Sequence, residues 1–147
     1  MNAKILAGAA VGLTLALGLP AAHAAPLTLV VDNVCSAKGE IDLTVYVAAD
    51  WLSDRTDGRD RHLPAQVGSV TFHFDLPPGT YAAAAFHDAN GNGKFDKNLV
   101  GWPLEGFGFS NNAQVSFFHP PSFAAASFTL PPEGTTETLH LDYWSKC

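Results

Sequence analysis

The sequence predicts an all-β protein, an antiparallel β-sandwich of about six to seven short strands. Three observations carry that expectation. Apolar and polar residues alternate with a period of two in segment after segment. Turns containing Pro and Gly punctuate those segments. No stretch sustains a 3.6-residue or heptad period.

The chain opens with "MNAKILAGAAVGLTLALGLPAAHA". Lys4 supplies a short positive region, residues 5–19 are uncharged and apolar, and Ala22-His23-Ala24 has the small-x-small form of a cleavage site. These features predict a secretory signal peptide over residues 1–24, with a retained membrane anchor as the alternative. No cysteine follows the cleavage site, so lipid attachment is not expected there. The remainder, residues 25–147, is expected to form a single β-sandwich domain, periplasmic or secreted, of roughly 120 residues, long enough for a real core.

Each element then follows in order. Residues 27–34 read as a first strand, with Leu27, Leu29 and Val31 on one face. Residues 40–48 alternate cleanly: Ile41, Leu43, Val45 and Val47 face one way, Asp42, Thr44 and Tyr46 the other. Residues 53–64 are dense in both signs of charge and predict a solvated loop. Arg55, Arg59 and Arg61 suggest a basic patch, but Asp54, Asp57 and Asp60 interleave with them. Residues 69–76 form the next strand, with Val70, Phe72 and Phe74 on its apolar face. A "PPGT" turn follows. Four alanines favour helix for residues 81–88 by propensity. The segment is short and follows a tight turn, so a returning strand is the reading adopted. Residues 99–113 are rich in Gly and aromatics and read as irregular. Residues 114–121 begin as a short strand, residues 122–130 fit a short helix or a strand, and residues 136–144 close the chain as a strand.

Charge and cysteines narrow the function. The formal net charge is −6, and loss of Lys4 makes it one unit more negative. An acidic domain repels phosphate backbones, so neither nucleic acid nor an anionic membrane surface is an expected partner. No other segment has the length and apolarity of a membrane span. Cys35 and Cys147 lie near the two ends of the mature chain. An oxidising compartment favours their pairing, and the spacing offers no C-x-x-C redox or metal motif.

The stretch "FHDANGNGKFDKN" carries the candidate site. Calcium takes six to eight oxygens, and an EF-type loop supplies them from positions 1, 3, 5, 7 and 9, with Gly at 6 and Glu at 12. Asp88, Asn90, Asn92, the Lys94 carbonyl and Asp96 occupy the first five of these positions, and Gly93 occupies the sixth position of the loop. Phe95 is placed to anchor the loop in the core. Position 12 is Leu99, so the bidentate carboxylate is missing; Glu105 is the candidate to fold back in its place. With only two charged loop ligands, calcium affinity is expected in the weak range of ~0.1–1 mM. An Asx-rich turn that satisfies its own backbone donors, with no metal, has much the same sequence.

Other chemistry is sparse. The histidines show no H-x-H or H-x-x-x-H spacing. His87 and Asp88 are neighbours on a strand and so point to opposite faces. There is no G-x-S-x-G elbow, P-loop or dinucleotide fingerprint. Trp102, Phe107 and Phe109 either line a peptide or carbohydrate groove or cap the core.

The motifs "LPPGTYAAAAFHDANGNGKFD" and "GWPLEGFGFSNNA", followed by "PPSF", resemble domain of unknown function 2141, a family of small exported bacterial proteins. The resemblance spans nearly all of the mature chain. It marks His87, Asp88, Asn90, Asn92, Gly93, Asp96 and Glu105 as signature positions, and the "LPPGTY" turn is also similar to transthyretin-like or carboxypeptidase-regulatory-like sandwiches, in line with an Ig-like or transthyretin-like sandwich. It implies no activity, and the cysteine pair is not part of its pattern. The leading expectation is an exported, non-enzymatic module with a calcium-ordered loop and a protein, peptide or carbohydrate ligand. The rivals are a hydrolase using His87, Asp88 and Glu105, and a purely structural module with a metal-free turn.

Overall fold

The computed structural model describes residues 23–147 apart from positions 56, 118 and 146. The signal-peptide reading of residues 1–24 thus lies almost wholly outside the described residues. Among the described residues eight strands form two sheets, as an all-β sandwich requires. The smaller sheet has the order β4 (Gly68–Leu76), β1 (Ala25–Val34), β8 (Thr135–His140). The larger has the order β3 (Asp60–Pro64), β2 (Glu40–Tyr46), β5 (Gly79–Asp88), β6 (Phe107–Phe109), and β7 (Phe128–Leu130) also pairs with β5.

The alternation read from the sequence sets the core. Leu27, Leu29 and Val31 of β1, Val70, Phe72 and Phe74 of β4, and Ile41, Leu43 and Val45 of β2 are all buried in one apolar cluster between the sheets. Among the described strands all pairs are antiparallel except one: β8 runs parallel to β1, with Leu27 opposite Thr135 and Asp32 opposite His140. Both strands therefore end at the same end of the sheet. The chain's last residue, Cys147, reaches Cys35 there and forms the expected disulfide, with Cα atoms 5.9 Å apart.

Several expectations need correction. The "PPGT" turn joins no hairpin: β4 pairs with β1 and β5 with β2, so the turn carries the chain from one sheet to the other. The charged segment expected as loop ends in β3, an edge strand exposed at every residue. Its backbone pairs with β2 while its side chains remain solvated, so no apolar face marks it. Among the described residues of 114–121 there is no strand. Ser116 and His119 close on each other in a turn, and Pro120 and Pro121 lack the N–H groups a ladder needs. Residues 122–130 hold both of the alternatives: a one-turn helix, α1 (Phe123–Ala126), capped by the Ser122 hydroxyl, then β7. Residues 99–113 include the three-residue strand β6 within otherwise irregular chain.

Strand β5 is indeed a strand, and its alanines have a packing reason. Ala83 and Ala85 face the core, and Ala82 is buried on the other side. A strand covered on both faces has little room for long side chains. Its outer edge is shared: β7 pairs with residues 79–81 and β6 with residues 84–86. Ser110 fills the gap between them. Its buried hydroxyl accepts from the Ala83 N–H at 2.7 Å and donates to the Ala126 carbonyl at 2.5 Å. Ser110→Ala is expected to lower the unfolding free energy by about 1–3 kcal/mol, since it leaves a buried donor and acceptor unpaired. Denaturant titration reads this directly; an unchanged midpoint shows that water replaces the hydroxyl.

Candidate functional site

Antiparallel pairing places Glu40 of β2 directly opposite Asp88 of β5, and Asp42 opposite Phe86. Paired residues share a face, so Glu40, Asp42, Phe86 and Asp88 all lie on the outer face of the larger sheet. The His87 N–H bonds to the Gly106 carbonyl at 2.8 Å and carries the β5–β6 ladder past Phe107. Glu105 thereby comes alongside Asp88. The register that sets Phe86 opposite Phe107 sets Asp88 opposite Glu105, and so on the same side of the sheet.

Asp88 is fully buried at the mouth of the loop. Its Oδ1 accepts from the N–H groups of Gly91 at 2.7 Å and Asn92 at 3.1 Å, and its Oδ2 from Gly93 at 2.6 Å. Gly91 and Gly93 both have φ of 69°, the left-handed conformation that turns these N–H groups inward. The β1–β2 connection packs tightly over this point. Gly39, with φ of 67°, lies where any Cβ would strike the Asp88 carbonyl oxygen.

The remaining loop side chains bond one another and the loop backbone. The side-chain amides of Asn90 and Asn92 both reach Asp96 Oδ2, at 2.7 and 2.9 Å. The Asn90 and Asn92 oxygens accept from the N–H groups of Asn92 and Lys94 at 3.0 and 2.9 Å. Lys94 follows Gly93 with its side chain in solvent. Glu105 folds back over the loop, as its missing twelfth position invited: its Oε2 accepts from the Asp96 N–H at 2.9 Å. The structure thus brings Asn90, Asn92, Asp96 and Glu105 together beside Asp88.

Phe95 anchors the loop, but not in the core between the sheets. It packs on Phe86 at 5.7 Å and Phe107 at 5.6 Å between ring centroids, on the outer face. Trp144 lies 5.4 Å from Phe107 and 4.9 Å from Trp102. Phe86, Phe95, Phe107 and Trp144, with Tyr46 and Phe109, line a cleft of about 430 Å³ on the outer face, with Asp42 and Lys97 among its walls. Of the three aromatics singled out in the sequence, Phe107 and Phe109 therefore belong to a groove, and Trp102 stacks at its rim.

The hydrolase constellation does not assemble. His87 faces the core side of the sheet, away from Asp88 and Glu105. Its Nε2 lies 2.8 Å from the Lys38 carbonyl, which only accepts, so Nε2 carries the proton. Its Nδ1 lies 2.9 Å from the Tyr143 hydroxyl, which itself accepts from the Cys35 N–H at 3.3 Å. Both ring nitrogens are engaged in holding the chain ends together. The basic-patch reading also falls away, because Arg59 pairs with Asp50 and Arg61 binds the Gly58 and Asp60 carbonyls.

Sequence reasoning missed Glu40 and Asp42 as site residues. The signal was present: "EID" puts two carboxylates on one face of a strand. What the sequence does not show is which strand lies beside them. Their oxygens and those of Asp88 lie within 4.8 Å of one another. Burial, then repulsion from Glu40 and Asp88, raises the Asp42 pKa to about 6, with His62 pulling the other way. Burial also raises that of Glu105, against the hydrogen bond from Asp96.

These residues sit in a recognisable sequence context. The model of a family described as an uncharacterized protein conserved in bacteria, DUF2141, matches residues 29–138. No curated protein and no solved structure matches the chain. The matched span runs from β1 into β8 and includes the loop, Glu105 and the Ser110 turn. The chain belongs to the DUF2141 family.

Proposed function

We propose that this chain is an exported, non-catalytic β-sandwich module that takes up calcium in the loop at residues 88–96 and presents the adjoining aromatic cleft to a protein, peptide or carbohydrate ligand. The observation that carries the reading is the meeting of Asn90 and Asn92 on one oxygen of Asp96. A cation at that point requires each amide to turn its oxygen inward and to release the Asn92 and Lys94 N–H groups that those oxygens now bind. Oxygens from positions 3, 5 and 9 then face one point, beside Asp88 and beneath Glu105. The Lys94 carbonyl is the further oxygen that the spacing offers. Export is supported by the leader-like N-terminus and by the Cys35–Cys147 disulfide.

The loop also supports cleft order, since Phe95 of the loop and Lys97 just beyond it line the cleft. A cation that fixes the loop fixes that wall. Calorimetry on chelator-treated protein is expected to give a heat of calcium binding in the range of ~0.1–1 mM. At about ten times the dissociation constant, calcium is expected to add roughly 1.4 kcal/mol to stability. Absence of heat and of any shift in Tm up to roughly ten times that range rejects the calcium reading.

A second reading has its own observation. The Asp88 carboxylate already accepts three backbone N–H groups. The loop therefore closes without an ion, as a structural turn does. Comparison of loop variants with and without calcium separates the two readings.

A further inference from the structure

We propose that Glu40, Asp42 and Asp88, with Glu105 beside them, hold a second divalent cation of the calcium type, on the outer face of the larger sheet next to the loop. This site goes beyond the loop reading, because Glu40 and Asp42 belong to β2 and no loop spacing includes them. Oxygens of Glu40, Asp42 and Asp88 lie within 4.8 Å of one another. A calcium ion at about 2.4 Å from each ligand spans that distance.

Acidic clusters are common without an ion, and two further features set this one apart. Glu105 is only 8% exposed, and its Oε1 has no hydrogen-bond partner while its Oε2 is held by the Asp96 N–H. Asp42 Oδ2 is likewise buried and unpartnered. Buried carboxylate oxygens are almost always paired, because desolvating an unpaired charge is costly. Like charges facing across neighbouring strands add to that cost. Here Glu40 and Asp88 face each other directly, Glu105 flanks Asp88 on the far side, and Asp42 adjoins them.

The cations on nearby elements do not neutralise the row. His62 lies opposite Asp42 on β3 and is exposed. Lys97 is turned over the Phe95 ring, 5.3 Å from its centroid. One divalent ion supplies what the row lacks. It offers a charge to the row and to the neighbouring Glu105, and a ligand position to the unpartnered Asp42 oxygen. Since Asp88 and Glu105 adjoin both positions, the two ions share carboxylate neighbours, and binding at one is coupled to the other.

Calcium titration of the full chain after chelator treatment tests the proposal. The variants are Asp42→Asn and Glu40→Gln for the row and Asp96→Asn for the loop. The expected result is two bound calcium ions for the unaltered chain. Asp42→Asn and Glu40→Gln each lose one and keep the other, and Asp96→Asn shows the reverse. Without calcium, Asp42→Asn is expected to melt higher than the unaltered chain, because it removes a buried like charge. This second readout does not depend on binding. Stoichiometry and affinity unchanged in both row variants overturn the proposal. So does a single ion lost equally in all three variants. A single ion lost in the row variants but kept in Asp96→Asn upholds the row and rejects the loop reading instead.

Discussion

Replacing Cys35 and Cys147 together by serine is expected to lower the unfolding free energy by about 4–5 kcal/mol, the largest effect of any change considered. The bridge spans a sequence separation of 112 residues, and it limits the unfolded chain more than a short loop does. Typical domains have only 5–15 kcal/mol in total, so the double variant is expected near the edge of folding. The native geometry makes this loss hard to recover. Tyr143 holds Cys35 through its hydroxyl and His87 through the same oxygen. When the bridge is absent, that network, the Asn33–Leu141 bond and the packing of Trp144 on Phe107 are what keep the C-terminus on the sheet. Urea titration of the oxidised protein, the reduced protein and the double serine variant checks the figure. Coincident transitions for all three show that the ends stay together without the bond.

Asp88→Ala is expected to cost about 3 kcal/mol in the absence of calcium. Three hydrogen bonds to a buried carboxylate, at about 1.5 kcal/mol or more each, are lost. Relief of the repulsion from Glu40 and Glu105 offsets part of that loss. Asp96→Ala is expected to cost less than about 1 kcal/mol, since its acceptors serve only side chains at the surface. Thermal or denaturant unfolding in chelator gives both values. With calcium the gap between Asp88→Ala and the unaltered chain is expected to widen. A gap identical with and without calcium favours the metal-free structural module.

Local patterns were the legible part of this protein. The period of two in β1, β2 and β4 named the core residues, and the EF-type spacing named the loop. Strand β5 was readable against its own alanine content only because a tight turn preceded it. The illegible part was the partnership of segments. Strand β3 has no apolar face, so its pairing left no mark in the side chains. The turn at "PPGT" reads the same whether it closes a hairpin or crosses between sheets, and here it crosses. Glu40 and Asp42 looked like the solvent face of a half-buried strand. Register across β2 and β5 turned that face into a carboxylate row, and register is a property of two segments at once. Phe95 was rightly an anchor but was assigned the wrong side of the sheet for the same reason.

The parallel pairing of β1 with β8 has a consequence for how this chain reaches its fold. The middle strand of the smaller sheet lies near the start of the domain, and one of its neighbours lies near the end; Asn33 bonds to the Leu141 carbonyl across 108 residues. A chain that emerges from its N-terminus therefore exposes one edge of β1 until its final segment arrives. Closure by such distant segments is slow compared with hairpin formation. During that interval β1 is an open apolar edge, the kind that recruits other chains. The last dozen residues thus set the time this protein spends vulnerable to aggregation, and truncating them prolongs it indefinitely.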